Sequence, residues 1–494
     1  GTLTNNATLT NTGGATATPV NLTADKMVLL GTITGGAGAV NVTSTTSGNT
    51  INLGGAVDTT LELSNTEFNT ITTTGTLTIG STPTVLNHTG PITISAPLTF
   101  ANPSGQVVLQ SSGGNINVNS TVNVSTSNLT LSTTGAGATG GAILDSGGIG
   151  LLNITGAHNL NLVAGNGIGT ITVNALQFPV HINLNNTATL QASNSTSGDV
   201  NITNPGSAKL ATNFSNSGAG ELRLTIADGT IDTSTTNVQA SGGRIAFIAN
   251  DNGAGGNITV GTGGITSAGG AVVLHAADTI TVNGPISLTY TGSIASAVND
   301  GANKSGYIEM IVGTGPGMNS GYAGFSGINP RLATEAADDT GVIILNANVN
   351  PGAAGNIVLV TSANGTVGNN VGGITQTSPG TLGGSGSTGI LTNITLRDSG
   401  APIALAVNGT SSTNNNSMSN VNLFSCLYSG CPGPTSTPPF QTTIGTPPST
   451  TLVNTAMFIN PFGTVYANGP ISLSSNVALS TNIGGTNIVG IGTT

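Results

Sequence analysis

Residues 257–288 read Asn257-Ile258-Thr259-Val260-Gly261-Thr262-Gly263-Gly264-Ile265-Thr266-Ser267-Ala268-Gly269-Gly270-Ala271-Val272-Val273-Leu274-His275-Ala276-Ala277-Asp278-Thr279-Ile280-Thr281-Val282-Asn283-Gly284-Pro285-Ile286-Ser287-Leu288. In Ile258-Thr259-Val260, Ile280-Thr281-Val282 and Ile286-Ser287-Leu288, two β-formers flank one small polar residue. Successive side chains on a strand point to opposite faces, so each triplet sends two aliphatics inward and one hydroxyl outward. The Gly and Asn clusters between triplets are the residues that accept positive φ at corners.

The same triplet recurs upstream. Val20-Asn21-Leu22, Val40-Asn41-Val42, Ile51-Asn52-Leu53, Ile92-Thr93-Ile94, Ile116-Asn117-Val118, Leu129-Thr130-Leu131 and Leu160-Asn161-Leu162 are examples. Asn283-Gly284-Pro285-Ile286-Ser287-Leu288 returns as Asn468-Gly469-Pro470-Ile471-Ser472-Leu473. In both, Pro precedes the strand, where its missing N–H is tolerated. Strands this short do not hold as isolated hairpins. Stacked in register about 4.8 Å apart, however, each coil covers the apolar row of the next. Two or three strands per turn predict roughly 20–30 residues per coil, about 16–25 coils and a rod on the order of 80–120 Å. The fold class read here is all-β, a parallel β-helix or β-solenoid. An array of antiparallel sandwich modules is the rival, and triplet strands without any Trp count against it.

Composition agrees. Of 494 residues, 7 are Lys or Arg and 17 are Asp or Glu, so 5% are charged, against about a quarter in ordinary soluble domains. A net charge of −10 with scattered cations gives no basic face for nucleic acid. No run of about 18 apolar residues is present to span a bilayer. Residue 1 is Gly with no signal peptide before it, which reads as a mature or trimmed chain.

The expected organisation is a regular solenoid over 1–289, an aromatic and charged excursion over 290–340, and a solenoid continuation over 341–408. A Cys-, Pro- and aromatic-rich insertion or linker over 409–466 and a terminal coil over 467–494 follow. The excursions hold the residues best suited to contact a partner: Tyr290, Tyr307, Tyr322, Phe325, Phe424, Tyr428, Phe440, Phe458, Phe462 and Tyr466. Cys426 and Cys431 read as a loop-stapling disulfide, which suits an oxidising compartment.

Residues 257–288, with their Gly-x-Ile-x-Val/Leu triplets and Asn- and Gly-rich turns, resemble the filamentous-haemagglutinin-like exoproteins and large autotransporter passengers of bacteria. Asn460, Pro461 and Gly463, in Met457-Phe458-Ile459-Asn460-Pro461-Phe462-Gly463, look like the Asn-Pro-Asn-Gly turn of that family's secretion domain. Here Phe462 replaces the second Asn, and the match stands at the far end of the chain from the family's position. The resemblance implies a right-handed parallel β-helix, export to the bacterial surface, and adhesion or matrix building.

Little in the sequence points to chemistry. His88, His158, His181 and His275 have no Cys, Ser or carboxylate partner at a triad or metal spacing. His181 and His275 flank aliphatic strands, so solvent-facing or corner positions are expected. Glu335, Asp338 and Asp339 read as a solvated acidic turn. No cofactor or metal is expected, and a β-helix polysaccharide-degrading enzyme would need clustered carboxylates. The leading expectation is an extracellular structural subunit of a bacterial fibre, filament or matrix whose main partner is itself. A monomeric adhesin binding surface glycans or other cells is the alternative.

Overall fold

A computed structural model of the chain describes residues 1–312 apart from 15–17, 56–59, 83–86, 134–139, 146, 172–176, 252–254, 291–297 and 300–303. It also describes 341–397 apart from 364–372, 377–379 and 384–389, and then the strand segments 408–409, 420–427, 453–455, 465–467 and 471–473. The fold is a parallel β-solenoid, built as two compact units, Gly1–Leu224 and Thr225–Thr494.

In the first unit three ladders run side by side. One joins Val20–Thr23, Val40–Thr43, Thr76–Gly80, Gln106–Gln110, Asn128–Ser132, Asn159–Ala164, Thr189–Asn194 and Ala208–Asn216. A second joins Leu61–Leu63, Ile51–Leu53, Ile92–Ile94, Ile116–Val118 and Ile143–Leu144. The third joins Leu98–Phe100, Thr121–Val124, Leu151–Ile154 and Val180–Leu184. Leu77 pairs with Val107, Val107 with Leu129, Leu129 with Leu160 and Leu160 with Leu190. These turns take 22 to 31 residues, and elsewhere in the ladder the step is 20 (Val20 to Val40, Leu190 to Leu210) or 37 (Val40 to Leu77), around the span the triplets predict.

Register explains the triplets. Ile92, Ile94, Ile116 and Val118 are wholly buried, while Thr93 and Asn117 between them are partly exposed. Like aliphatics stack on like aliphatics from coil to coil, so each inward residue loses water on every side. Burial of one such side chain stabilises by about 1.5–3 kcal/mol. Corners follow the Gly–Pro reading. Gly264 adopts φ +74, and a Cβ there would lie 2.3 Å from the Pro285 carbonyl oxygen one coil on, so a side chain is excluded twice.

A four-residue helix, Asn65–Phe68, interrupts the strands of this unit. Ser64 and Glu67 form its capping box, each side chain accepting a backbone N–H of the other. Phe68 meets Phe100 edge to face, with ring centroids 5.1 Å apart.

The second unit repeats the plan. Its first ladder runs through Ile231–Asp232, Asn257–Val260, Thr279–Val282, Val342–Leu345 and Gly373–Gln376. Its second takes Val238–Ala240, Ile265–Ser267, Ile286–Leu288 and Val349–Asn350. The third takes Ile245–Ala249, Val272–Ala276, Tyr307–Val312, Asn356–Ala363, Ile390–Arg397, Asn420–Leu427 and Val465–Ala467.

Both expected excursions thus contain coil strands. Tyr307–Val312 lies inside 290–340, yet it pairs on both sides and is buried on both faces. Its alternation escapes notice because Tyr307 and Glu309 occupy positions where a triplet has small polar residues. The turn that carries 290–340 is nonetheless long: Asn283 and Asn346, hydrogen-bonded neighbours at 2.8 Å, are 63 residues apart. Strands Asn420–Leu427 and Val465–Ala467 likewise extend the ladder into 409–466.

Adjacent positions in one strand test this register. Leu109 is fully buried and Val108 beside it is partly exposed. Leu109→Ala is expected to cost about 2–5 kcal/mol, and Val108→Ala roughly 0.5 kcal/mol or less. Urea unfolding midpoints of the two variants measure the difference; equal losses would mean the faces are assigned wrongly.

Candidate functional site

The outward rows of the first unit form a polar, sparsely charged surface whose side chains bond along the stacking direction. On the third ladder, Asn153 Nδ2 donates to Asn123 Oδ1 at 2.7 Å and Asn183 Nδ2 to Asn153 Oδ1 at 2.9 Å. Each step is one coil, 30 residues. On the first ladder Asn41 donates to Asn21 at 2.8 Å, and Gln106 to Thr130 at 3.0 Å. Asn117 donates to Thr93 at 3.3 Å on the second. Such rows offer amide and hydroxyl groups at the coil spacing, with no net charge, and are suited to hydrogen bonding with another polar, uncharged surface. Of the Asn-x-Ser/Thr positions in them, Asn41 and Asn201 are buried and Asn21 is exposed.

Charged groups are rare, and several are placed against a specific partner. His181 Nδ1 lies 2.8 Å from Asp145 Oδ2, and Asp145 Oδ1 accepts from Ile149 N at 3.2 Å and Gly150 N at 3.1 Å. The Asp145 side chain is wholly buried, whereas that of His181 is 37% exposed. In the second unit His275 Nε2 meets Glu309 Oε1 at 2.7 Å, with both side chains 2% exposed. The expectation of a solvent-facing or corner His275 is therefore corrected: it sits mid-strand, paired and sealed. Glu221 and Arg223 pair at 2.7 Å, also buried.

Sequence reading missed both His–carboxylate pairs because it looked for partners at helix or loop spacing. His181 follows Asp145 by 36 residues and Glu309 follows His275 by 34, which is about one coil. The coil period itself was the available signal. Among the described residues, no group of three or more His, Cys, Asp or Glu side chains is placed to hold a metal ion.

The expected contact aromatics fare differently. Tyr290 and Tyr307 are each 8% exposed, so they do not offer the contact surface expected of them. Tyr307 opens a strand paired with Asn356, and the Tyr290 ring lies across Gly306, where a Cβ would approach it to 2.5 Å. Phe424 stands opposite Ile394 in the ladder, Cys426 opposite Leu396, and Tyr466 opposite Asn422. Tyr322, Phe325, Tyr428, Phe440, Phe458, Phe462, Cys431, Asn460, Pro461 and Gly463 lie outside the described residues, and with them the disulfide and the family-like turn. No helix among the described residues is long and apolar enough to cross a membrane.

Compared with known proteins, the chain matches no family model, no curated protein and no solved structure.

The buried pair carries a stability prediction. His275→Ala leaves the Glu309 carboxyl buried without its partner and is expected to cost about 3–5 kcal/mol. Replacing both by Leu is expected to restore most of that loss. Thermal unfolding of the single and double variants checks it; a double variant as unstable as the single would contradict the assignment.

Proposed function

We propose that this chain is a non-enzymatic structural subunit of a bacterial surface fibre, filament or matrix, acting outside the cell and associating with copies of itself. The observation that carries this reading is the parallel stacking of coils with uncharged, mutually hydrogen-bonded outer rows. In such a stack the backbone N–H and C=O groups of the strands point along the stacking direction. A coil without a neighbour is then a template for another chain, and native proteins usually block such edges with charges. With 5% charged residues, this chain has few to spare for that purpose. The likeness of residues 257–288 to filamentous-haemagglutinin-like exoproteins points to the same compartment and use.

Negative-stain microscopy and sedimentation of the purified chain test the proposal. Filaments or concentration-dependent multimers are the expected result. Single particles at all concentrations, together with saturable binding to a glycan or cell surface, would replace the fibre reading with the adhesin one.

A further inference from the structure

His88 sits at the corner before strand Ile92–Ile94 in the first unit, and its side chain is fully buried. Neither ring nitrogen makes a hydrogen bond. The surrounding backbone, by contrast, is clamped from both sides. Thr89 N and Gly90 N donate to the Ser47 carbonyl at 2.7 and 2.9 Å. Ser112 N donates to the His88 carbonyl at 2.7 Å, and Ser111 Oγ to the Gly90 carbonyl at 2.8 Å. His88 N itself donates to Ser81 Oγ at 2.8 Å. The imidazole is therefore held between one coil below and one above, mainly through the backbone around it, with the Gly90 and Pro91 backbone facing the ring.

Among the described residues around it, no charged side chain is placed against the ring. Residues 43–53, 76–94 and 104–118, which supply these contacts and the flanking strands, contain no Asp, Glu, Lys, Arg or second His. Asp25 is the carboxylate tied to the loop below. It is already committed, accepting from Ser44 Oγ at 2.6 Å, Thr46 N at 2.8 Å and Asn49 Nδ2 at 3.1 Å. These bonds, Ser44 first, hold its carboxyl below the usual range. Glu62 lies on the second ladder in Leu61–Leu63, separated from Ile92–Ile94 by Ile51–Leu53. Burial pushes the His88 imidazole below the ordinary histidine value, with the backbone at Pro91 and Gly90 opposing it less strongly.

We propose that His88 is an acid-sensitive latch. Neutral, it fills the corner; protonated, it becomes a buried charge that only the backbone of Gly90 and Pro91 can answer, with no counter-charge, and the clamp of Ser81 and His88–Pro91 between the two coils opens. The sign follows from linkage. A histidine that is harder to protonate folded than unfolded leaves stability intact above pH of about 6.5. Stability is then lost as pH falls from there toward the lowered folded value, and opening rises by up to about tenfold per pH unit.

Native-state hydrogen exchange on the full chain, corrected for intrinsic exchange rates, reads this directly. Between pH of about 7.5 and 5, protection at Thr89, Gly90 and Ser112 is expected to fall by up to about tenfold per unit below 6.5. Protection at Leu152 and Ile182 is expected to hold, and in His88→Phe the pH-dependent loss at the corner disappears. Corner protection independent of pH, or a loss that persists in His88→Phe, would overturn the proposal. Should His88→Phe fail to fold, NMR titration of the ring carbons in the unaltered chain decides. An imidazole still mostly neutral at pH of about 6.5 supports the latch, and one titrating at or above that value overturns it.

Discussion

Everything in this structure depends on one repeated event, the parallel pairing of a short strand with the strand one coil later. Three-residue strands have too few hydrogen bonds to persist alone. Pairing on both sides turns each into one rung of a continuous ladder and brings identical aliphatic positions into contact. Hydrogen bonding and apolar burial then share a direction: Ile92, Ile94, Ile116 and Val118 are buried by the same stacking that pairs their backbones. Stability of such an array is close to a sum over neighbouring coils, so local insertions are tolerated where the next coil regains register. The 63-residue step between Asn283 and Asn346 is an example, since pairing on either side of it is in register.

How much of this was legible in the sequence follows from the same logic. The alternation of Ile258-Thr259-Val260 shows which side chains turn inward, and Gly284-Pro285 shows where a corner falls; both readings need only local rules. Tyr307–Val312 was not legible, because its two buried faces erase the alternation that marks a half-exposed strand. Nor were the His–carboxylate pairs, whose members stand a full coil apart. Pairing across coils depends on the exact length of each turn, and turns that vary from 20 to 37 residues along one ladder leave that register undefined until the chain is folded.

Low charge shapes the rest. A solenoid covered by Asn, Thr, Ser and Gln rows satisfies its outer side chains along the stack, as in Asn123, Asn153 and Asn183, without drawing on ion pairs. Several of its few charges are placed with specific partners: Asp145 holds a turn and His181 together, and Glu309 meets His275. His88 differs from those pairs: it is a buried titratable ring with no carboxylate against it, only the backbone of Gly90 and Pro91. In an interior so poor in charge, a single protonation is consequential.

The central claim is the one-coil register, and spin labels on the outer asparagine row test it most directly. Nitroxides at Asn123→Cys and Asn153→Cys are placed on adjacent coils, about 4.8 Å apart at the backbone. The account predicts a strongly broadened spectrum for the doubly labelled chain, diluted with unlabelled protein so that only neighbours within one molecule contribute. A spectrum equal to the sum of the two singly labelled proteins would contradict it.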